Sequence, residues 1–112
     1  NAVRMIPAGG GAAQSFIPGL SWPTGLAVNQ IGANTYLYLI NHSMYAELNT
    51  YDVNNPGSPV FVANLWSSSL PAYGASQGNA VVVDPITNSL YIGCPYSYWY
   101  GSPYNVILRV AP

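Results

Sequence analysis

The chain has 112 residues, of which 50% are apolar and 4% are charged, and its formal net charge is −1. This length allows one domain with a hydrophobic core, and the two basic residues, Arg4 and Arg109, are too few to neutralise the phosphates of a nucleic acid. Gly, Pro and Asn interrupt every apolar run before it reaches the ~18 residues of a membrane helix, so a helical membrane span is excluded as well.

Short runs with a period of two residues predict β-strands along the whole chain. The runs are rich in β-branched and aromatic residues, and turn-forming segments such as 29–34, 54–59 and 84–88 bound them. The predicted strands, in chain order, are 3–7, 13–17, 25–28, 35–41, 45–53, 60–65, 80–83, 89–94 and 104–110. No helical pattern interrupts them, so the expected fold class is all-β with short antiparallel strands.

The segments GLAVNQIGANTYLYLINHS and NAVVVDPITNSLYIGC have nearly the same pattern of strand, turn and strand. The aligned pairs are Asn29 with Asp84, Asn34 with Asn88 and Tyr38 with Tyr91, at offsets of 55, 54 and 53 residues. The changing offset indicates different turn lengths in two copies of one unit. We therefore expect about two four-stranded antiparallel repeats of ~53 residues each.

The repeats divide the chain into parts of one repeat domain, 1–112. Residues 21–65 hold the first complete unit, and residues 66–112 hold a linker loop and a second unit without its fourth strand. The pair of strands within residues 1–20 resembles the end of a preceding unit. We expect the last strand of one copy to be covered by the 3–6 and 13–17 pair of a neighbouring copy.

Several segments resemble the blades of β-propellers of the YVTN, NHL and LVIVD repeat types. They are Trp22-Pro-Thr-Gly-Leu-Ala-Val28, Asp84-Pro-Ile-Thr-Asn88, Leu90-Tyr-Ile92 and Tyr51-Asp-Val-Asn-Asn-Pro-Gly-Ser-Pro-Val60. The resemblance covers Ser21 to Pro112, and it implies blade-like sheets but no particular activity. The loop 66–78 and the aromatic connection 96–104 depart from the usual blade pattern.

About two blades cannot form a closed ring, which needs roughly four or more. The open sheet faces would be covered by other copies of the chain, by other segments of a longer propeller, or by stacking into a filament. The low charge favours such association, because self-repulsion between copies is weak.

No catalytic constellation is present in the sequence, and we expect a protein that is not an enzyme, with no cofactor and no metal. The carboxylates are Glu47, Asp52 and Asp84, and the two aspartates stand in turns, where they are expected to accept backbone N–H groups. His42 with Glu47 would give only two ligands, too few for a zinc site.

The expected binding residues form an aromatic cluster in the connection before the last strand. They are Tyr96, Tyr98, Trp99, Tyr100 and Tyr104, in a chain with ten tyrosines. Flat rings with polar rims stack on sugars or anchor a protein partner, and they also serve to cover the edge of a blade. The cluster therefore makes carbohydrate an alternative partner to other copies of the chain.

One glycosylation sequon, Asn41-His-Ser43, makes Asn41 a candidate glycosylation site and indicates an extracellular or cell-surface location. Three functions are open at this point. The first is a secreted structural or assembly subunit whose blades are completed by other copies or segments. The second is a lectin-like module that uses the aromatic cluster, and the third is a fragment of a larger propeller enzyme.

Overall fold

The computed structural model describes residues 1–42, 46–65, 80–94 and 106–112, and these residues form three antiparallel β-sheets. The N-terminal sheet contains β1 (Val3–Met5) and β2 (Gln14–Ile17). The central sheet contains β3 (Pro23–Ile31), β4 (Asn34–His42), β5 (Ala46–Asp52) and β6 (Phe61–Asn64), in that order across the sheet. The C-terminal sheet contains β7 (Ala80–Val83), β8 (Leu90–Cys94) and β9 (Val106–Val110), also in chain order.

The all-β prediction is confirmed, and so is the prediction of a four-stranded antiparallel sheet. The residues that the structure describes contain no helix, and so none long and apolar enough to cross a membrane. Each sheet is a meander, because every strand pairs with the strand that follows it within the same sheet. Short turns favour this arrangement, since a two-residue turn can only return the chain antiparallel to itself.

The turn between β3 and β4 shows how the sequence sets this geometry. Ile31 pairs with Asn34, so only Gly32 and Ala33 lie between the two strands. Gly32 has a φ of 62°, a conformation that glycine adopts without the steric cost of a side chain. The tight turn fixes the register of the long β3–β4 ladder.

The central sheet lies between the other two sheets, and β4 supplies buried side chains to both of its faces. Leu37 and Leu39 pack with the N-terminal sheet, whereas Tyr38 and Ile40 pack with the C-terminal sheet. This follows from the pleat, which sends alternate side chains to opposite faces. The two hydrophobic clusters therefore lie on either side of one sheet.

The N-terminal sheet is built like the outer half of the central sheet. Leu20, just after β2, donates its backbone N–H to the carbonyl of Asn1 at 3.1 Å, and Leu65, just after β6, donates to the carbonyl of Ala46 at 2.9 Å. Both leucines are buried. The pair β1–β2 thus matches the pair β5–β6 in its strands and in the buried leucine that follows them.

Candidate functional site

The face of the C-terminal sheet that points away from the central sheet is apolar and exposed. Val82 on β7, Tyr91 on β8 and Ile107 on β9 project from it, and Val82 and Ile107 are 60% and 75% exposed. We call these three residues the open face. Arg109 lies beside Tyr91 on the same side of the sheet, and its Nη2 donates a hydrogen bond to the Ser89 hydroxyl at 3.1 Å.

The corresponding face of the central sheet is buried. Tyr38 pairs with Ala27 and Thr50, as Tyr91 pairs with Val82 and Arg109. In this alignment, Leu48 on β5 corresponds to Ile107 on β9, and Leu48 is 0% exposed. The difference arises because the C-terminal sheet covers the central one, while no described residue covers the C-terminal sheet.

A second apolar surface lies on the opposite face of the central sheet, over β3. Leu26 and Val28 are 49% and 53% exposed there, although they pair with the buried Leu39 and Leu37. We call Leu26 and Val28 the open half. The N-terminal sheet covers β4 and β5 but does not extend over β3.

A groove of about 240 Å³ separates the open half from the N-terminal sheet. One side is the segment from Ala2 to Arg4, including part of β1, and the floor includes Leu26 and Leu39. The edge of β1 away from β2 pairs with no described strand. The groove therefore offers both an apolar floor and an unpaired strand edge.

A larger cleft, of about 610 Å³, lies between the central and C-terminal sheets near the end of β9. It is lined mainly by apolar side chains, including Leu48, Phe61 and Val110, together with the rings of Tyr36 and Tyr38. Phe61 at the start of β6 is exposed. In the described part of the chain, no strand pairs with the outer edge of β9, where a fourth strand would lie beside Phe61.

Polar contacts hold the two larger sheets together at the ends of β3 and β7. The Asn29 side chain donates from Nδ2 to Oδ1 of Asn88 at 2.8 Å, and Asn29 is buried. Burial raises the pKa of the Tyr38 phenol, and the neighbouring Tyr36 adds to this shift. Tyr38 is therefore neutral at physiological pH and contributes mainly its ring to the contact between the sheets.

The predicted aromatic cluster, Tyr96, Tyr98, Trp99, Tyr100 and Tyr104, lies outside the described residues. Its proposed binding of sugar or protein stays a prediction. Asn41, the predicted glycosylation site, lies in β4 and is largely buried. Its Oδ1 accepts the backbone N–H groups of Ser21 and Trp22 at 3.1 and 3.4 Å, which anchors the entry to β3. Glycosylation of Asn41 also stays a prediction.

The two aspartates have the turn roles expected of them. Asp52 accepts the backbone N–H of Asn54 at 2.9 Å, and Asp84 accepts that of Ile86 at 2.9 Å. Within the described ranges, no group of three or more His, Cys, Asp or Glu side chains could hold a metal ion.

The exposed apolar residues Leu26, Val28, Val82 and Ile107 are the surface feature that sequence reasoning did not single out. A strand with period two shows which residues share a face, but it does not show which face is covered. The alignment of Tyr38 with Tyr91 was the available signal, because it predicts equivalent faces in two sheets. Comparison of the chain with models of protein families, with curated proteins and with solved structures finds no match.

Proposed function

We propose that this chain is a secreted, non-enzymatic structural subunit that assembles through its β-sheets. In this proposal the sheets are blades of the propeller type, and other copies of the chain or other segments of a longer chain complete them. The sequon and the low charge support an extracellular structural role, since they fit a protein made to associate.

The observation that carries the proposal is the contrast between two equivalent sheet faces. Leu48 is 0% exposed under the C-terminal sheet, whereas the corresponding Ile107 is 75% exposed. Burying a Val or Ile side chain contributes about 1.5–3 kcal/mol each. A further sheet on the open face would recover this free energy at Val82, so the open face favours association.

The proposal predicts that a charged side chain in place of Val82 prevents assembly. Val82→Lys would place an ammonium group in the contact, at a cost of several kcal/mol when it loses its water. We expect the dissociation constant to rise at least about a hundredfold, since 1.4 kcal/mol corresponds to a factor of ten. Light scattering at matched concentrations measures the change.

Ile86→Lys is the matched control, because Ile86 is 90% exposed but lies in the turn between β7 and β8. This variant adds the same charge to the same sheet and should leave the assembly unchanged. Circular dichroism of each variant checks that the strands persist. A chain that remains a single copy at high concentration without any substitution would contradict assembly through other copies, and would leave completion by other segments of a longer chain.

A further inference from the structure

The contact between the central and C-terminal sheets is a template for a contact that the open half lacks. In the template, β3 lies beside β7, and Ala27 and Tyr38 pack into the cluster that contains Val81 and Leu90. In the aligned registers, Leu26 corresponds to Val81, and Leu37 corresponds to Leu90. Leu26 therefore lacks the cover that Val81 has.

The template also shows which strands cover the equivalent surface. The central sheet covers its neighbour with four strands, whereas among the described residues the N-terminal sheet contains two, β1 and β2, which match β5 and β6. In the described part of the chain, no strands equivalent to β3 and β4 lie beside β1. Strands added at this place would lie over the open half, in the groove that Leu26 lines beside β1.

We infer that a second copy of this chain fills the groove with its β7 and β8. These strands carry Val82 and Tyr91 at the positions that Ala27 and Tyr38 hold in the template. Neither β7 nor β8 carries a charged side chain, and Arg4 on β1 is the charged residue that lines the groove. The inference rests on the proposed function and adds to it the partner and the contact surface.

The inferred contact requires an exchange of strands between copies. In the second copy, β9 already pairs with the edge of β8 that faces away from β7. In the inferred contact, β1 of the first copy pairs with that same edge and takes the place of β9. When β1 replaces β9, the five-residue β8–β9 ladder and the packing of Leu108 and Val110 are exchanged for a ladder with the three residues of β1. The burial of Leu26 and Val28 has to offset this difference. β2 follows β1, so the joint becomes a four-stranded sheet in the order β7, β8, β1, β2, and the open half is covered.

The contact is tested by cross-linking two single-cysteine variants, Leu26→Cys and Val82→Cys, each in a chain with Cys94→Ala. In the template, the equivalent of Val82 is Ala27, which packs against the cluster that contains Val81, the equivalent of Leu26. Mixing the two variants under a mild oxidant should give a disulfide-linked pair of copies on a non-reducing gel. Ile86→Cys replaces Val82→Cys in the control mixture and should give several times less product.

Equal yields from the two mixtures, together with light scattering that still shows association, would overturn the inferred contact and leave the proposed function standing. If the unsubstituted chain does not associate at all, both the inferred contact and the proposed assembly through other copies are overturned. Thermal unfolding of each variant excludes misfolding as the cause.

The strand exchange has a separate readout in hydrogen–deuterium exchange. On assembly, the amides of residues 3–5 should become protected, because β1 gains a second neighbour, while those of 106–110 should exchange faster, because β9 is released. Protection of both segments would overturn the exchange and indicate simple addition of a strand to the edge of β9.

Discussion

At the scale of single residues, Asp84 organises the turn between β7 and β8 with both oxygens of its carboxylate. Oδ1 accepts the Ile86 backbone N–H at 2.9 Å, and Oδ2 accepts the Thr87 hydroxyl at 2.6 Å. The turn ends at Asn88, whose φ of 58° suits asparagine better than most other side chains. Asn88 then accepts the hydrogen bond from Asn29, so the turn also connects two sheets.

These contacts predict an acid-sensitive contribution of Asp84 to stability. The hydrogen bond from Thr87, and then the one from Ile86, lower the pKa of the Asp84 carboxyl. A lowered pKa in the folded state gives a contribution that is present above the unfolded pKa of about 3.9 and is lost as the pH falls through the folded value. Asp84→Asn, which does not titrate, should therefore show a smaller fall in unfolding temperature between about pH 5 and pH 2.

Thr87→Ala provides the second arm of this experiment. It removes the hydroxyl that donates to Oδ2, so the pKa of Asp84 should rise toward its ordinary value and the acid sensitivity should decrease. Identical pH profiles for the unsubstituted chain and Asp84→Asn would show that the carboxylate does not contribute in this way. NMR titration of the Asp84 carboxyl measures the pKa directly.

At the scale of the strands, the position of an apolar side chain in the stack of sheets decides how much it contributes to the free energy of unfolding. Ile92 on β8 is fully buried against the central sheet, whereas Ile107 on the neighbouring β9 points out of the open face. Both residues are isoleucines in short strands of the same sheet. Their exposure therefore differs because another sheet covers one face of the C-terminal sheet, and not because their local sequences differ.

Substitution of these two isoleucines should have very different effects on folding. Ile92→Ala should lower the free energy of unfolding by about 2–5 kcal/mol, because it removes buried methyl groups and leaves a cavity. Ile107→Ala should change it by no more than about 0.5 kcal/mol. Both are measured by urea unfolding in a Val82→Lys background, which keeps the chain as single copies. Similar losses at the two positions would show that the open face is covered within one chain.

The strands were largely predictable from the sequence, because period two and turn residues are local signals. β3 is the clearest difference: the pattern predicted 25–28, whereas the strand runs from Pro23 to Ile31. Asn29 and Gln30 were assigned to a turn, but the tight turn at Gly32 lets the ladder continue through Ile31 paired with Asn34. Pairing across the sheet thus overrode the local preference of asparagine for turns.

At the scale of the whole molecule, three sheets lie in a stack, and the N-terminal sheet covers only part of one face of the central sheet. The sequence predicted the four-stranded sheet and the pairing of β1 with β2, since both follow from short connections. It did not predict that the N-terminal sheet leaves Leu26 and Val28 uncovered. That outcome depends on which strands are present to pack there, which no local pattern encodes.

The stack has two different ends, and different ends predict head-to-tail assembly. The open face and the open half are not the same surface, so a contact between them is heterologous and each copy keeps one free end. Val82→Lys blocks the open face, and Leu26→Lys blocks the open half. Each variant alone should therefore remain as single copies, because the partner surface in every other molecule is blocked.

Mixing Leu26→Lys with Val82→Lys allows one contact to form, between the open face of the first variant and the open half of the second. Leu26→Lys retains an intact open face, and Val82→Lys retains an intact open half, so an equal mixture should form pairs of copies that cannot grow further. Native mass measurement distinguishes pairs from single copies and from larger assemblies. If the contact instead joined two open faces, Leu26→Lys alone would form pairs, and mixing would add nothing. If it joined two open halves, Val82→Lys alone would do so. A pair found only in the mixture therefore requires a contact between the two different ends.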